Sequence, residues 1–271
     1  MVQRGGQEVL NRQFLEHPPV LFFSPDNASL LVESPQMRRS LIDRLVFSMD
    51  SQYYELLQKY QYLLKQRNAT LKLHRDDGLL QVLDRQLVPL AMDISTRRSS
   101  LIEQMQDIFS RQWEELKPDT FPMEVRYSVQ LPETWEERLE QYRERSSMDW
   151  QQQTTTLGPH REDILFKAGG RAPRSVLSHG ERKSAAFAFN LAFATLYQKE
   201  WGTAPLLLVD DLAAELDTAT LERSLHRLVH WPGQIILTAL DQQAALFTDH
   251  PLFATAPGTL WRVEEGALFP L

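Results

Sequence analysis

The chain has no cysteine among its 271 residues, which excludes disulfides, thiolate zinc sites and cysteine nucleophiles and suits a reducing compartment. It has no apolar run long enough to cross a bilayer, and Met1-Val2-Gln3-Arg4-Gly5-Gly6 lacks the apolar segment of a signal peptide. The expectation is a cytoplasmic protein. Positive charge is not in excess either: 29 basic against 36 acidic residues give a formal net charge of −7, so any nucleic-acid contact has to come from a local basic patch. There is no internal repeat and no low-complexity segment. What is present, 42% hydrophobic and 24% charged, is the profile of a folded chain with room for one large domain or two ordinary ones.

The most informative stretch runs from Leu177 to Asp217. Ser178 and Gly180 in Leu177-Ser178-His179-Gly180-Glu181 stand where a helix starts, so free backbone N–H groups, a hydroxyl and the positive end of the helix dipole face outward as an anion site. After an apolar helix, Leu206-Leu207-Leu208-Val209 reads as a buried parallel strand, and Asp210-Asp211 falls at its C-terminal end, where doubly wound sheets bind ligands. Two adjacent acids there suit Mg²⁺ and an attacking water.

Ahead of it, Pro19 to Phe23 reads as a short buried strand. Ser34-Pro35 caps and launches a helix with Arg38, Arg39 and Arg44 on its wetter face. Apolar residues at Tyr53, Leu56, Tyr60, Leu63 and Leu64, then from Leu80 to Trp113, fall at helical spacing and predict an antiparallel hairpin, with Pro89 kinking or breaking its second helix. Phe121 to Leu131 is expected as a strand, Pro132 to Ser146 as a charged helix and Thr154 to Leu157 as a β-branched strand, with Ile164 to Lys167 and Gly169-Gly170 forming a hairpin. Leu221 to Leu228 is expected as a helix, Gln234 to Thr238 as a buried strand and Leu260 to Val263 as an edge strand.

The order of serine-glycine turn, helix, apolar strand, Asp-Asp and Glu215-Leu216-Asp217 resembles the signature motif, Walker B and D-loop of ABC-type ATPases. Four further segments narrow the family: Leu21-Phe22-Phe23-Ser24-Pro25-Asp26; Ser34-Pro35-Gln36-Met37-Arg38-Arg39-Ser40-Leu41-Ile42-Asp43; Leu63-Leu64-Lys65-Gln66-Arg67-Asn68; and Gly158-Pro159-His160-Arg161-Glu162-Asp163. Together they resemble RecF, the recombination mediator related to SMC ATPases. The resemblance implies an α/β fold: an ABC/SMC-type ATPase lobe with an inserted α-helical hairpin subdomain. Residues 1–33 and 151–271 would belong to the lobe and residues 34–150 to the insert. It further implies binding of ATP with Mg²⁺ and of single-stranded, gapped or junction DNA. It also implies work with RecO and RecR to load recombinase in repair and the SOS response, and an ATP-dependent homodimer. By position, Ser178 and Gly180 would touch the γ-phosphate of the other subunit, Asp210 would hold Mg²⁺ through water, Asp211 would polarise the attacking water, and Glu215 and Asp217 would cross the dimer interface. Arg38, Arg39, Lys65 and Arg67 are the candidate DNA contacts; solvation of helix faces accounts for them equally well.

The chain departs from the pattern in three places. It contains no G-x-x-x-x-G-K-[ST], so it resembles the rear of RecF without the N-terminal strand, P-loop and helix; weak or absent ATP binding and an open sheet edge beside Leu206–Val209 are expected. Ala239 stands where many ABC ATPases carry a phosphate-sensing histidine, and Asp211 replaces the usual glutamate; both point to slow hydrolysis. The alternative is a non-catalytic RecF-like module that binds DNA or RecR. A transporter subunit is disfavoured by Ala239 and the long insert, an SMC arm by the absence of extended heptads. His160 is expected as a turn residue, His226 and His230 as surface or packing residues rather than metal ligands, and Tyr53, Tyr60 and Tyr62 as hairpin core rather than base-stacking platforms.

Overall fold

A computed structural model describes residues 2–4, 7–9, 18–24, 30–31, 35–73, 76–129, 132, 134–213, 216–240 and 258–270. In chain order the strands are β1 (Val2–Arg4), β2 (Gln7–Val9), β3 (Val20–Phe23), β4 (Met123–Tyr127), β5 (Ile164–Ala168), β6 (Leu206–Val209), β7 (Ile235–Leu237), β8 (Trp261–Glu264) and β9 (Ala267–Pro270). The helices are α1 (Pro35–Met49), α2 (Tyr53–Leu73), α3 (Asp77–Leu116), α4 (Trp135–Gln152), α5 (Pro173–Val176), α6 (His179–Trp201) and α7 (Thr218–Val229). A parallel sheet has the order β3-β6-β7, β4 pairs with β5 antiparallel, and β1-β2 and β8-β9 are hairpins.

Helix α6 joins these parts. Ser178 and Glu181 close a capping box at its start and Gly202 ends it in the left-handed conformation. Every residue from Ser184 to Ala194 is buried, so this helix has no wet face over three turns, and alternating alanine and phenylalanine let neighbours approach on several sides. Phe187 meets the edge of Phe23 in β3 at 5.0 Å. Phe189 meets Phe166 of β5 at 5.2 Å and Phe109 of α3 at 5.8 Å, and Phe109 and Phe166 are 6.0 Å apart, all edge-on. One helix thus buries the sheet on one flank and the helical insert on another.

Strand β6 is central, with Leu207 opposite Leu21 and Ile235. Leu21, Phe23, Leu207 and Val209 are buried, whereas Val20, Phe22 and Ile236 remain 50–57% exposed on the other face. Leu206–Val209, beside which an open edge is expected, is paired on both sides, and among the described residues β3 and β7 are the outer strands of this sheet. Strand β7, expected as buried, is half exposed.

The helical pair forms as its periodicity predicts, with Asp76 capping α3 by accepting from the Leu79 N–H. Pro89 does not break α3, which runs uninterrupted for 40 residues. The proline sits exposed, so the carbonyl that loses its helical donor faces water. Thr154 to Leu157 is not a strand. Thr155 and Thr156 donate both backbone N–H and hydroxyl to Asn68 and Asp149 respectively, and this local bonding overrides β-branched propensity.

These threonines border a buried ionic cluster. Arg67 is fully buried, pairs with Asp84 and Asp149 at 2.6 Å each, donates to Thr155 at 2.9 Å and lies over the Tyr142 ring. Burial alone would lower the guanidinium pKa, but the two carboxylates outweigh it and raise it. The cluster ties α2, α3 and α4 to Thr155, whose carbonyl faces His160 Nε2 and accepts from Arg161 Nε in the Gly158–Asp163 turn. In that turn His160 Nε2 faces the Thr155 carbonyl at 3.0 Å, so it must carry the proton, and Nδ1 accepts from the Tyr60 hydroxyl at 2.6 Å.

Two predictions follow from this packing. Phe189→Ala removes the ring shared by three elements and should cost about 3–5 kcal/mol by urea denaturation; a cost below about 1 kcal/mol would contradict the role given to α6. Burial, then the charges of Arg161, Arg39 and Arg67, lower the His160 pKa to about 4. The unfolded chain therefore takes up the proton first. The stability held above pH ~6.5 should fall as pH drops toward about 4, and His160→Gln should flatten that segment of a stability–pH curve.

Candidate functional site

The candidate site forms where strands β3 and β6 end. Asp210 and Asp211 follow β6, and with Ser24, Lys183, Ser184 and Leu216 they line a small cleft of about 40 Å³ against α6. The local backbone explains the placement: the Asp210 N–H donates to the Phe23 carbonyl at 2.8 Å, extending the ladder by one residue beyond the strand. Asp211 then turns sharply, with φ +45°. That left-handed conformation costs an aspartate about 1 kcal/mol.

Thr238, just past β7, holds the two acids. Its hydroxyl donates to Asp210 Oδ1 at 2.6 Å and accepts from the Asp211 N–H at 3.2 Å, while its own N–H donates to the Val209 carbonyl at 2.9 Å. Sequence reasoning stopped at the missing histidine at Ala239 and passed over this threonine. A hydroxyl ending the apolar strand beside the one that carries the acids was the available signal. Asp210 is exposed, whereas Asp211 Oδ1 is buried without a hydrogen-bond partner among the described residues. Hard carboxylate oxygens, one wet and one unsatisfied, are a donor set that fits a hydrated Mg²⁺.

Ser178 and Gly180 are on the same helix but do not line this cleft. Ser178 is exposed at the N-cap, where its hydroxyl accepts from the Glu181 N–H and its own N–H donates to the Glu181 carboxylate. Gly180 lies in the first turn, and its carbonyl accepts from Ser184 Oγ at 3.0 Å. Asp217 caps α7 by accepting from the Thr220 N–H and hydroxyl, and it pairs with Lys117, the residue just past α3, at 2.5 Å. Lys117 and Thr220 hold its carboxyl below the usual carboxylate range. In this arrangement its carboxylate serves the fold. Glu215 lies outside the described residues.

The four basic candidates separate. Arg67 is corrected: its guanidinium is enclosed by Asp84, Asp149 and Thr155 and cannot reach a phosphate. Arg38 forms a bidentate pair with Asp163 at 2.7 and 2.8 Å, and Arg39 donates to the Glu162 carbonyl at 3.1 Å. Both fasten α1 to the Gly158–Asp163 turn, while Lys65 is exposed on α2. Tyr53 and Tyr60 are buried as expected, but Tyr62 is 62% exposed. His226 and His230 stand ring to ring at 4.5 Å, and among the described residues no group of three potential ligands gathers to hold a metal. No described helix is long and apolar enough to cross a membrane.

The strained, unsatisfied carboxylate at Asp211 predicts a stability penalty at the site. Asp211→Gly should raise the melting temperature, by the equivalent of about 1 kcal/mol. An unchanged or lower melting temperature would mean that the left-handed turn is not costly here.

No family model matches the chain. Curated relatives do. It is 33% identical to the DNA replication and repair protein RecF of Symbiobacterium thermophilum over 261 residues, covering 91% of this chain and 69% of that protein. It is 33% identical to RecF of Geobacillus kaustophilus over 269 residues, covering 90% of this chain and 72% of that protein. Among solved structures it is similar to RecF-ATP, a recombination mediator protein of the RecFOR pathway, with TM-score 0.76, 24% identity and coverage of 93% of this chain and 67% of that one. It is also similar to RecF-ATPrS, with TM-score 0.79, 23% identity and coverage of 98% and 71%. The structural likeness is one of fold alone: a lobe with a parallel sheet and a long helical segment between β3 and β6. With identity and coverage at this level in the curated relatives, the chain belongs to the RecF family of DNA replication and repair proteins.

Proposed function

We propose that this chain serves recombinational DNA repair as a nucleotide-controlled, DNA-binding protein in the cytoplasm. The observation that carries the reading is the Asp210–Thr238–Asp211 cluster at the C-terminal end of the central parallel strand, beside α6. Magnesium with ATP would supply a phosphoanhydride bond to be broken there. Asp210 would hold the metal's water shell, and the unsatisfied Asp211 carboxylate would orient the attacking water. Thr238 fixes both acids before any ligand arrives, so their reorganisation cost is small.

Ser178 and Gly180 stand at the exposed start of α6 and do not line this cleft, which suits a role on the nucleotide of a second subunit. Glu215 and Asp217 would sit at that interface. ATP-dependent homodimerisation would then clamp single-stranded or gapped DNA, and RecO and RecR would use the clamp to load recombinase, in repair and in SOS induction. For DNA, exposed Lys65 and Lys72 lie two turns apart on one flank of α2.

A second reading rests on one fact of the sequence. The 271 residues contain no G-x-x-x-x-G-K-[ST], the loop that cradles phosphates in P-loop ATPases. Under this reading the chain is a non-catalytic module that binds DNA or RecR without nucleotide control. Titration with a fluorescent ATP analogue, with and without Mg²⁺, separates the two. Metal-dependent binding lost in Asp210→Asn supports nucleotide control; no binding alone, or with a partner carrying a phosphate loop, supports the module.

For DNA, Lys65→Glu with Lys72→Glu should weaken binding to gapped DNA and reduce the slope of log K against log salt by about 2. Unchanged affinity and slope would place the DNA surface elsewhere. Arg67→Glu is not a usable test, since it would bury a third carboxylate beside Asp84 and Asp149 and unfold the insert.

A further inference from the structure

Helix α2 keeps one face in water along its whole length. Gln58, Tyr62, Lys65, Ala69 and Lys72 follow one another at steps of three and four residues, and all are exposed. Tyr62 stands on the midline of that face, 62% exposed. Lys59 and Lys65 lie three residues before and after it, one on either flank, and Lys72 continues the Lys65 flank two turns on. An exposed tyrosine by itself is ordinary. What sets this one apart is its surroundings.

Tyr54, on the same helix, is 40% exposed but packs on Phe47 of α1 with ring centroids 5.7 Å apart. Tyr62 has no ring contact and no hydrogen bond among the described residues. The charge around it is of one sign. Residues 56–75 contain no acidic residue, in a chain whose formal net charge is −7. Arg67 of that run points inward to Asp84 and Asp149, whereas Lys59, Lys65 and Lys72 have no carboxylate partner among the described residues. The outer face of α2 therefore offers an aromatic ring bracketed by cations, which complements a polyanion that carries exposed flat rings of its own.

We propose that Tyr62 is a stacking platform for an unpaired base, with Lys59 and Lys65 holding phosphates on either side of it. This rests on the DNA-binding reading of the chain and specifies which part of a gapped DNA α2 recognises, the single-stranded stretch. Inside a duplex both faces of each base are covered by neighbouring base pairs, so a side chain on a helix surface stacks only on a base that has left its pair. Stacking accepts any base, and lysine contacts to phosphate carry no sequence information, so the site selects strandedness rather than sequence.

The test uses the whole chain and two DNAs of equal length: a duplex with a gap of about eight nucleotides, one of them 2-aminopurine, and the same duplex fully paired. Affinity is read by fluorescence anisotropy and stacking by 2-aminopurine emission. Tyr62→Ala should weaken binding to the gapped DNA by about fivefold or more and leave the paired duplex within about twofold. It should also leave the slope of log K against log salt unchanged, because no phosphate contact is lost. Tyr62→Trp should keep both the gapped binding and the change in 2-aminopurine emission that Tyr62→Ala removes. Lys59→Gln should reduce the salt slope by about 1. Alanine suits an exposed helix position, and equal melting temperatures of the variants separate these losses from a folding defect. Equal weakening on gapped and paired DNA, or none on either, overturns the proposal while leaving the chain a DNA-binding protein. A wild-type chain that binds neither DNA overturns both the proposal and the DNA reading beneath it. Loss of polyglutamate binding in Tyr62→Ala with DNA binding unchanged would make an acidic protein segment the occupant and overturn the proposal as well.

Discussion

A helix buried on every side over three turns leaves its neighbours little freedom, and α6 is such a helix from Ser184 to Ala194. Phe187 fixes it to β3, and Phe189 fixes it to α3 and β5 through a three-ring contact. The same segment begins at the exposed N-cap Ser178 and passes the carboxylate cleft with Lys183 and Ser184. A shift of α6 by a fraction of an ångström would be felt at the cleft and in the insert together, because close-packed interiors do not deform continuously. The packing supplies a physical route between the Asp210–Asp211 cluster and the helical insert without any long-range charge effect.

The insert is stiffened by polar chemistry rather than by apolar contact alone. Arg67 with Asp84, Asp149 and Thr155 forms one buried cluster. Glu162, accepting from Ser95, Tyr127 and Arg138, forms a second. Arg98 links the Pro159 carbonyl to Tyr127 and Asp43. The second and third reach the Gly158–Asp163 turn directly, and the first reaches it through the Thr155 carbonyl, which faces His160 and accepts from Arg161. Ion pairs of this kind are weak evidence for net stability, since desolvation offsets much of the attraction, but removing one partner strands the other and is costly. They fix a single arrangement of α1, α2, α3 and α4 around one short turn.

Much of this was legible in the sequence because local rules and global fold agree there. The run Leu206 to Val209 is a parallel strand, Ser178 with Glu181 is a capping box, and the apolar spacing from Tyr53 to Trp113 gives the two long helices. The misreadings occur where a distant partner decides. Arg67 sits in a basic run that looks solvent-facing, and its carboxylates lie 17 and 82 positions away. Thr154 to Leu157 has strand propensity, but Asn68 and Asp149 bind its hydroxyls and amides. Thr238 is one hydroxyl at the end of an apolar strand, and its importance appears only when β6 and β7 lie side by side. Periodicity carries no information about such pairs.

The most direct test of this account is native-state amide hydrogen exchange along α3 and α6. If α6 fuses the sheet and the insert into one unit, amides of residues 101–116 and 184–197 should open with the same free energy, equal to that of global unfolding, and Phe189→Ala should lower both by the same amount. If the insert exchanges at a distinctly lower free energy than α6, or if Phe189→Ala lowers only one of them, the two parts are separate units and the coupling through α6 does not exist.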